Sequence, residues 1–365
     1  MRVLQITASL KIGGAERVAK DIGMAAINAG HEVHYLVFRN EIGEYEEELV
    51  TRGAMIFHVP SPSSGYVAFI SALRKLMLNY NYDVIHAHTM FNTGWVMWTA
   101  KVCHIPVRIA HAHSALRDGS RLIKNIYEIV MRWMILQNAT DLVACGDAAG
   151  IRLFGEKAYK KRGIRILNGI DVNAYTFNQE TRQKVRKELN VEKAFVIGHV
   201  GHLAEVKNQS FILRLLPVIL QYKPNAKLLM LGEGEDRQML EQIIHNLKLT
   251  AKVIMKGNVR NVEDYLCAMD VFVLPSIYEG MPLSVLEAQA NGLPCILSTE
   301  VPKDVQLTEL VQYVSLDKPQ FWIDSICSAE RKECRYFAEE LIAKGCDANT
   351  AANSILKLYE RELVN

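Results

Sequence analysis

The sequence predicts an α/β protein built as two doubly wound, parallel-sheet domains, 1–170 and 171–349, facing one another across a cleft. Three observations predict it. Residues 3–7 (VLQIT), a loop holding Gly13 and Gly14, a helical pattern over 15–29 stopped by Gly30, and the run 33–38 make a strand–loop–helix–strand unit. The same order recurs from residue 195. Between them the chain carries short, continuous apolar runs, which mark strands buried on both faces of a parallel sheet.

At 365 residues, with 50% hydrophobic and 22% charged, the chain can bury two cores of ordinary size. Net charge is +2, which gives no case for a nucleic-acid partner. Residues 1–170 hold 20 Lys+Arg against 14 Asp+Glu, or +6, leaving (42−20) − (40−14) = −4 for the remainder. The basic first half admits an anionic partner, such as a membrane surface. Seven cysteines without paired spacing predict neither a zinc site nor a disulfide framework, and reduced thiols fit the cytoplasm. Met1 runs directly into strand pattern, so no signal peptide is expected, and no apolar run is long enough to span a bilayer.

Taken in order, 54–59 predicts a third strand, 67–80 a helix, 83–88 (DVIHAH) a fourth strand and 107–111 a fifth. His86, His88, His111 and His113 gather at these last two strands. Each could be a satisfied core histidine, and the spacing does not spell a zinc site. His113, just past its strand, is the one expected to meet a ligand. A helix over 116–137 combines a polar stripe (Arg121, Lys124, Glu128, Arg132) with more apolar surface than one sheet contact uses. It is either buried on several sides or also rests on a membrane, aided by Arg117, Arg121 and Lys124. Strands at 141–145 and 164–167 close the first domain, and the turn 168–171 (NGID) is a hinge. The second domain has strands at 195–200, 227–231, 253–255, 271–274 and 295–298, with helices at 210–222, 262–269 and one ending at Leu247. A helix at 353–363 has no strand to follow and is expected to pack back on the first domain.

The stretch 279–287, EGMPLSVLE, stands out. It places Glu279 at a strand-to-helix turn and Glu287 inside the helix. Helix starts carry unused N–H groups, and Pro282 lacks one where none is needed. Amides at Gly280, Met281 and Leu283 suit phosphate, and two carboxylates suit hydroxyls. The pattern alone also fits a helix with acid near its start, which the macrodipole favours.

Together, Gly13-Gly14-Ala15-Glu16-Arg17, His113, 168–171, 201–207, Gly232-Glu233-Gly234 and 279–287 resemble, in order and over nearly the whole chain, the retaining glycosyltransferases of family 4. The resemblance implies the GT-B fold, two Rossmann-like domains. The tail 301–322 resembles the branch that builds bacterial exopolysaccharide and capsule units. It implies a nucleotide-sugar donor, UDP-linked by resemblance to that branch alone, and a saccharide or polyprenyl-diphosphate-linked acceptor. It implies that Glu279 holds the donor sugar's hydroxyls and Glu287 the ribose hydroxyls. Gly13 and Gly14 would approach the diphosphate, Lys207 would neutralise it, and His113 would touch the sugar. Asn258 and Val259 lie where the family's backbone reads the base. No cofactor is implied, and the absence of an Asp-x-Asp signature predicts metal-independent turnover. A sugar-nucleotide 2-epimerase or a non-catalytic sugar-nucleotide-binding protein on the same fold are the alternatives. The first needs catalytic acids that this first half does not place, and incubation without acceptor separates it from a transferase.

One departure has a consequence. His202 stands five residues before Lys207, where the family usually has arginine. Arginine is always charged and grips phosphate at two points, whereas imidazole titrates near neutrality. Unless another group compensates, diphosphate binding is therefore expected to be weaker or more pH-sensitive, read as donor affinity across roughly pH 5.5–8.5 in the wild type and His202→Ala. Calorimetric titration checks this: flat profiles in both proteins would exclude the effect.

Overall fold

The computed structural model describes residues 1–39, 41–114, 122–332 and 335–364. Arg117, Arg121 and the first turn of the helix expected at 116–137 lie outside the described residues. The chain divides into two units, Met1–Gly169 with Ala348–Asn365, and Ile170–Asp347.

The first unit contains, in order, β1 (Arg2–Thr7), α1 (Gly14–Asn28), β2 (Glu32–Val37), α2 (Glu46–Thr51), β3 (Met55–His58), α3 (Tyr66–Tyr80), β4 (Val84–Ala87), α4 (Thr93–Val102), β5 (Val107–Ala112), α5 (Leu122–Asn138), β6 (Asp141–Ala144), α6 (Asp147–Phe154), α7 (Glu156–Arg162) and β7 (Gly163–Arg165). All seven strands run parallel in the order β3-β2-β1-β4-β5-β6-β7. Every position of β4 and β6 is buried, as helices on both faces of a parallel sheet require.

The second unit follows with α8 (Gln179–Glu188), β8 (Phe195–Val200), α9 (Gln209–Tyr222), β9 (Ala226–Leu231), α10 (Arg237–Asn246), β10 (Val253–Gly257), α11 (Val262–Ala268), β11 (Val271–Leu274), α12 (Leu283–Ala290), β12 (Cys295–Ser298), β13 (Val311–Val314), α13 (Pro319–Ser328) and α14 (Arg335–Ala343). Its six strands are also parallel, ordered β10-β9-β8-β11-β12-β13. Both units are thus Rossmann-like, and each reverses strand order once, between β1 and β4 in the first and between β8 and β11 in the second.

The last helix, α15 (Ala348–Val364), belongs to the first unit. Its Ala352, Ile355, Leu356, Leu358 and Tyr359 join Val3, Val33, Tyr35 and Val107 in one core. Burying each larger apolar side chain stabilises by roughly 1.5–3 kcal/mol, so this helix is a structural part of the unit rather than an appendage.

Two parts of the fold depart from the sequence reading. The edge strand β13 alternates buried Val311 and Val314 with an exposed Gln312, which gives no continuous apolar run to notice. α5 is not buried on several sides, one of its two readings. Glu128 pairs with Arg152 at 2.6 Å, and Arg132 donates to the carbonyls of Leu153 and Arg152, so part of the polar stripe faces α6. Ile126, Ile129, Val130 and Trp133 instead stand 55%, 63%, 44% and 61% exposed, at the spacing of a single helical stripe.

Candidate functional site

In doubly wound sheets ligands gather outside the carboxyl ends of strands, where the strand order reverses. In the second unit the two loops at that place follow β8 and β11. The loop after β8 runs through 201–208 and ends in Asn208, whose positive φ of 52° and side-chain bond to the Pro275 carbonyl at 3.2 Å turn the chain into α9. The loop after β11 is held to it by the Ile277 N–H, which donates to the Val206 carbonyl at 2.8 Å.

Lys207 and Glu279 meet across these loops. The Lys207 ammonium donates to Glu279 Oε1 at 2.6 Å, with the two side chains 17% and 8% exposed. Ser276 Oγ, fully buried, donates to the same oxygen at 2.6 Å. Ser276 is fixed in turn through its carbonyl, which accepts from Ser298 Oγ on β12. A charge pair this dry adds little net stability, because desolvation offsets attraction. Its value is positional: a cation and an anion are held rigidly at a loop where a ligand can recruit either.

α12 starts four residues beyond Glu279 and is buried almost all round, Glu287 included at 5% exposed. Met281 and Leu283 are buried, and Gly280 is half-buried. The neighbouring loop after β9 holds Gly232 at φ +131°, and a Cβ there would stand 2.1 Å from the Gly201 carbonyl, so only glycine fits. Asn258 and Val259 follow β10, the first exposed and the second half-buried. His202 does not join Lys207. Its Nε2 lies 2.8 Å from Glu235 Oε2, both side chains being about two-thirds exposed. Beneath it, His199 donates from Nδ1 to the Val273 carbonyl and accepts from Gln209, and burial pushes it down to about 4.

In the first unit Gly13 and Gly14 open α1 immediately beyond β1. A Cβ on Gly14 would meet open space, whereas one on Gly13 would collide with the Glu16 carboxylate, 2.4 Å away. Burial raises that carboxyl above its ordinary value. The four histidines form one hydrogen-bonded chain, with His86, His88 and His111 buried and His113 half-buried. His113 Nε2 lies 2.7 Å from His88 Nδ1, and His88 Nε2 lies 2.9 Å from Gln5 Oε1. Gln5 Nε2 donates to the Tyr359 hydroxyl at 3.0 Å, which lies 2.7 Å from His86 Nδ1; His86 Nε2 lies 3.1 Å from His111 Nδ1. Burial, and then repulsion from neighbouring rings, holds His86, His88 and His111 well below the usual imidazole value, and burial alone pushes His113 down to about 3. Nitrogens of His86, His88 and His111 lie within 4.8 Å of one another, the one grouping of metal-ligand composition among the described residues. Those of His86 and His88 are already committed to hydrogen bonds, and the grouping includes no carboxylate to offset a dication.

Sequence reasoning named Lys207 and Glu279 and missed their support. Ser276 was visible as a hydroxyl three residues before Glu279; Gln5 and Tyr359 carry no local signal, because only the fold joins residues 354 apart.

Two Rossmann-like units, one carrying a lysine–glutamate pair at its strand-order reversal, fit a GT-B glycosyltransferase. Comparison with known proteins agrees. A family model described as "Glycosyltransferase Family 4" matches residues 12–174, and one described as "Glycosyl transferases group 1" matches 180–309. EpsF of Bacillus subtilis (strain 168), a protein named as a glycosyltransferase, is 31% identical over 98% of this chain and 96% of its own length. The capsular polysaccharide biosynthesis glycosyltransferase CapH of Staphylococcus aureus is 23% identical over 89% and 90%. The Anabaena HepE structure in complex with UDP and glucose superposes with a TM-score of 0.83 at 20% identity, covering 99% of this chain and all of that one. The chain belongs to glycosyltransferase family 4.

The neutral histidine chain makes the enzyme acid-sensitive. Below the ordinary imidazole value near 6.5 the unfolded chain binds protons that the buried rings refuse, so stability is complete above that pH and lost as pH falls towards about 3. Each ring contributes about 1.4 kcal/mol per pH unit to the loss. Urea denaturation at several pH values is expected to show a midpoint that falls steadily below neutrality, and a midpoint unchanged down to about pH 5 would contradict it.

Proposed function

We propose that this enzyme moves a hexose from a UDP-linked sugar, with retention and without a metal ion or cofactor, to a saccharide or polyprenyl-diphosphate-linked saccharide in bacterial surface polysaccharide synthesis. The observation that carries the reading is the Lys207–Glu279 pair at the strand-order reversal of the second unit. CapH, named as a capsular polysaccharide biosynthesis glycosyltransferase, supports the polysaccharide setting. An Escherichia coli relative, 26% identical over 62% of this chain and 60% of its own length, is named as a UDP-Gal:alpha-D-GlcNAc-diphosphoundecaprenol alpha-1,3-galactosyltransferase, which supports both a UDP donor and a lipid-linked acceptor.

The reaction breaks the bond from the sugar's anomeric carbon to phosphate oxygen and leaves charge on a departing diphosphate. Lys207 supplies the fixed positive charge, with the amides of Gly280, Met281 and Leu283 at the start of α12 and those of Gly13 and Gly14 at α1 adding N–H donors. Glu279 holds sugar hydroxyls while tethered by Ser276, and Glu287 takes the ribose. Asn258 and Val259 meet the base, His113 the sugar, and His202 the outer side of the diphosphate. With Glu279 already accepting from Lys207 and Ser276, it is placed to orient the sugar and poorly placed to act as a free base. The acceptor hydroxyl then attacks from the same face as the leaving phosphate, which takes its proton.

Glu279→Ala is expected to abolish transfer. The protein should stay folded, with a transition a few degrees lower, because a largely buried Lys207 loses its partner. Turnover of UDP-glucose or UDP-galactose with a lipid-diphosphate saccharide measures this, and near-normal rates would overturn the site.

The exposed stripe on α5 supports docking on an anionic membrane from the cytoplasmic side. No helix among the described residues is long and apolar enough to cross a membrane, so attachment would be interfacial. Flotation with phosphatidylglycerol vesicles is expected to recover the wild type and lose a double variant, Ile129→Glu with Trp133→Glu. Reversing Arg117, Arg121 and Lys124 should weaken binding as well. Flotation indifferent to all of these changes removes the membrane reading.

A further inference from the structure

The histidine chain has a direction. Gln5 Nε2 donates to Tyr359, so the Tyr359 hydroxyl hydrogen goes to His86 Nδ1. His86 is then protonated on Nε2 and donates to His111 Nδ1, which places the His111 proton on its own Nε2. On the other branch Gln5 Oε1 can only accept, so His88 carries its proton on Nε2. Its Nδ1 therefore accepts, and the proton between His88 and His113 sits on His113 Nε2. One amide orientation thus fixes the tautomer of four rings. The chain terminates in two buried ring nitrogens without a hydrogen-bond partner, His111 Nε2 and His113 Nδ1. His111 lines a small pocket between α1 and α15, beside Asp21 and Ala352. His113 lies past the carboxyl end of β5, on the ligand side of the sheet.

We propose that Gln5, His88 and Tyr359 are positioning residues for the transferase: they lock His113 with its proton on Nε2, so that Nδ1 is presented to the donor sugar as a hydrogen-bond acceptor for a hydroxyl. This rests on the reading that His113 touches the sugar. A buried acceptor without a partner costs free energy in the empty enzyme and regains it when a hydroxyl arrives. A ring free to change tautomer would lose that selectivity for a donating group. The Tyr359 contribution comes from α15, so the last helix of the chain helps set the chemistry of a residue following β5.

Nitrogen-15 spectra of histidine-labelled, ligand-free protein report the protonated nitrogen of each ring, with single His→Gln variants giving the assignments. His113 should be protonated on Nε2 in the wild type and mixed in Gln5→Leu. Gln5→Glu, which keeps an acceptor for His88, should restore the Nε2 form and guards against a packing defect in Gln5→Leu. A wild-type His113 protonated on Nδ1 overturns the proposal without any ligand. In calorimetric titrations Gln5→Leu should weaken UDP-glucose about tenfold, the worth of one hydrogen bond, and leave UDP unchanged. Equal loss for both ligands, or no loss, also overturns it. His113→Ala separates the two layers. If that variant loses UDP-glucose affinity while Gln5→Leu does not, only the positioning role fails. If His113→Ala binds UDP-glucose as the wild type does, the sugar contact fails and the positioning role with it.

Discussion

The structure depends on the burial of two parallel sheets. An inner strand of a parallel sheet pairs on both sides and is covered on both faces, so it has no free surface of its own except at its ends. Everything chemical is therefore displaced to the loops at the carboxyl ends, and the reversal of strand order parts two of those loops in each unit. Lys207 and Glu279 meet at one such parting. Gly13, Gly14, His88 and His113 lie in loops at or beside the other. The sheets need not know what the loops carry, which is why one fold serves many donors and acceptors.

Both units hold buried ion pairs, Arg152 with Glu128 in the first among them, but the groups beneath the site loops are satisfied differently in each unit. In the second, charge is balanced by charge: Lys207 against Glu279, and Asp270 between Arg182 and Arg186 at 2.6 and 3.2 Å. In the first, the polar core beneath the loops is neutral. Four imidazoles, an amide and a phenol share protons end to end, with no ion needed. A neutral network avoids the desolvation cost of an ion pair, but it is sound only if every link keeps its direction.

Much of this was legible beforehand. Strands such as VFVL over β11 announce themselves, because burial on both faces leaves an unbroken apolar run. Glu279, Glu287 and the glycine turns were readable because backbone geometry demands particular residues at fixed spacing. What stayed hidden depended on distant partners. Ser276 looks like any serine until Glu279 is folded against it, and Gln5 looks like a polar interruption in β1 until Tyr359 arrives from the far end of the chain. The surroundings of α5 were hidden for a related reason. Glu128 and Arg132 read as members of a polar stripe, and only the position of α6 shows that they are satisfied inward. Composition ranks side chains by their average surroundings, and a paired charge is where that average fails.

The first unit takes its core from both ends of the polypeptide, since Ile355, Leu356 and Tyr359 pack among side chains of β1, β2 and β5. During synthesis the core of that unit therefore stays incomplete until Ala348–Val364 has been made, after the whole of the second unit. Only then does the unit close over its core. A chain lacking Ala348–Val364 would leave the apolar side chains of β1, β2 and β5 uncovered, the kind of surface that chaperones and proteases treat as unfinished.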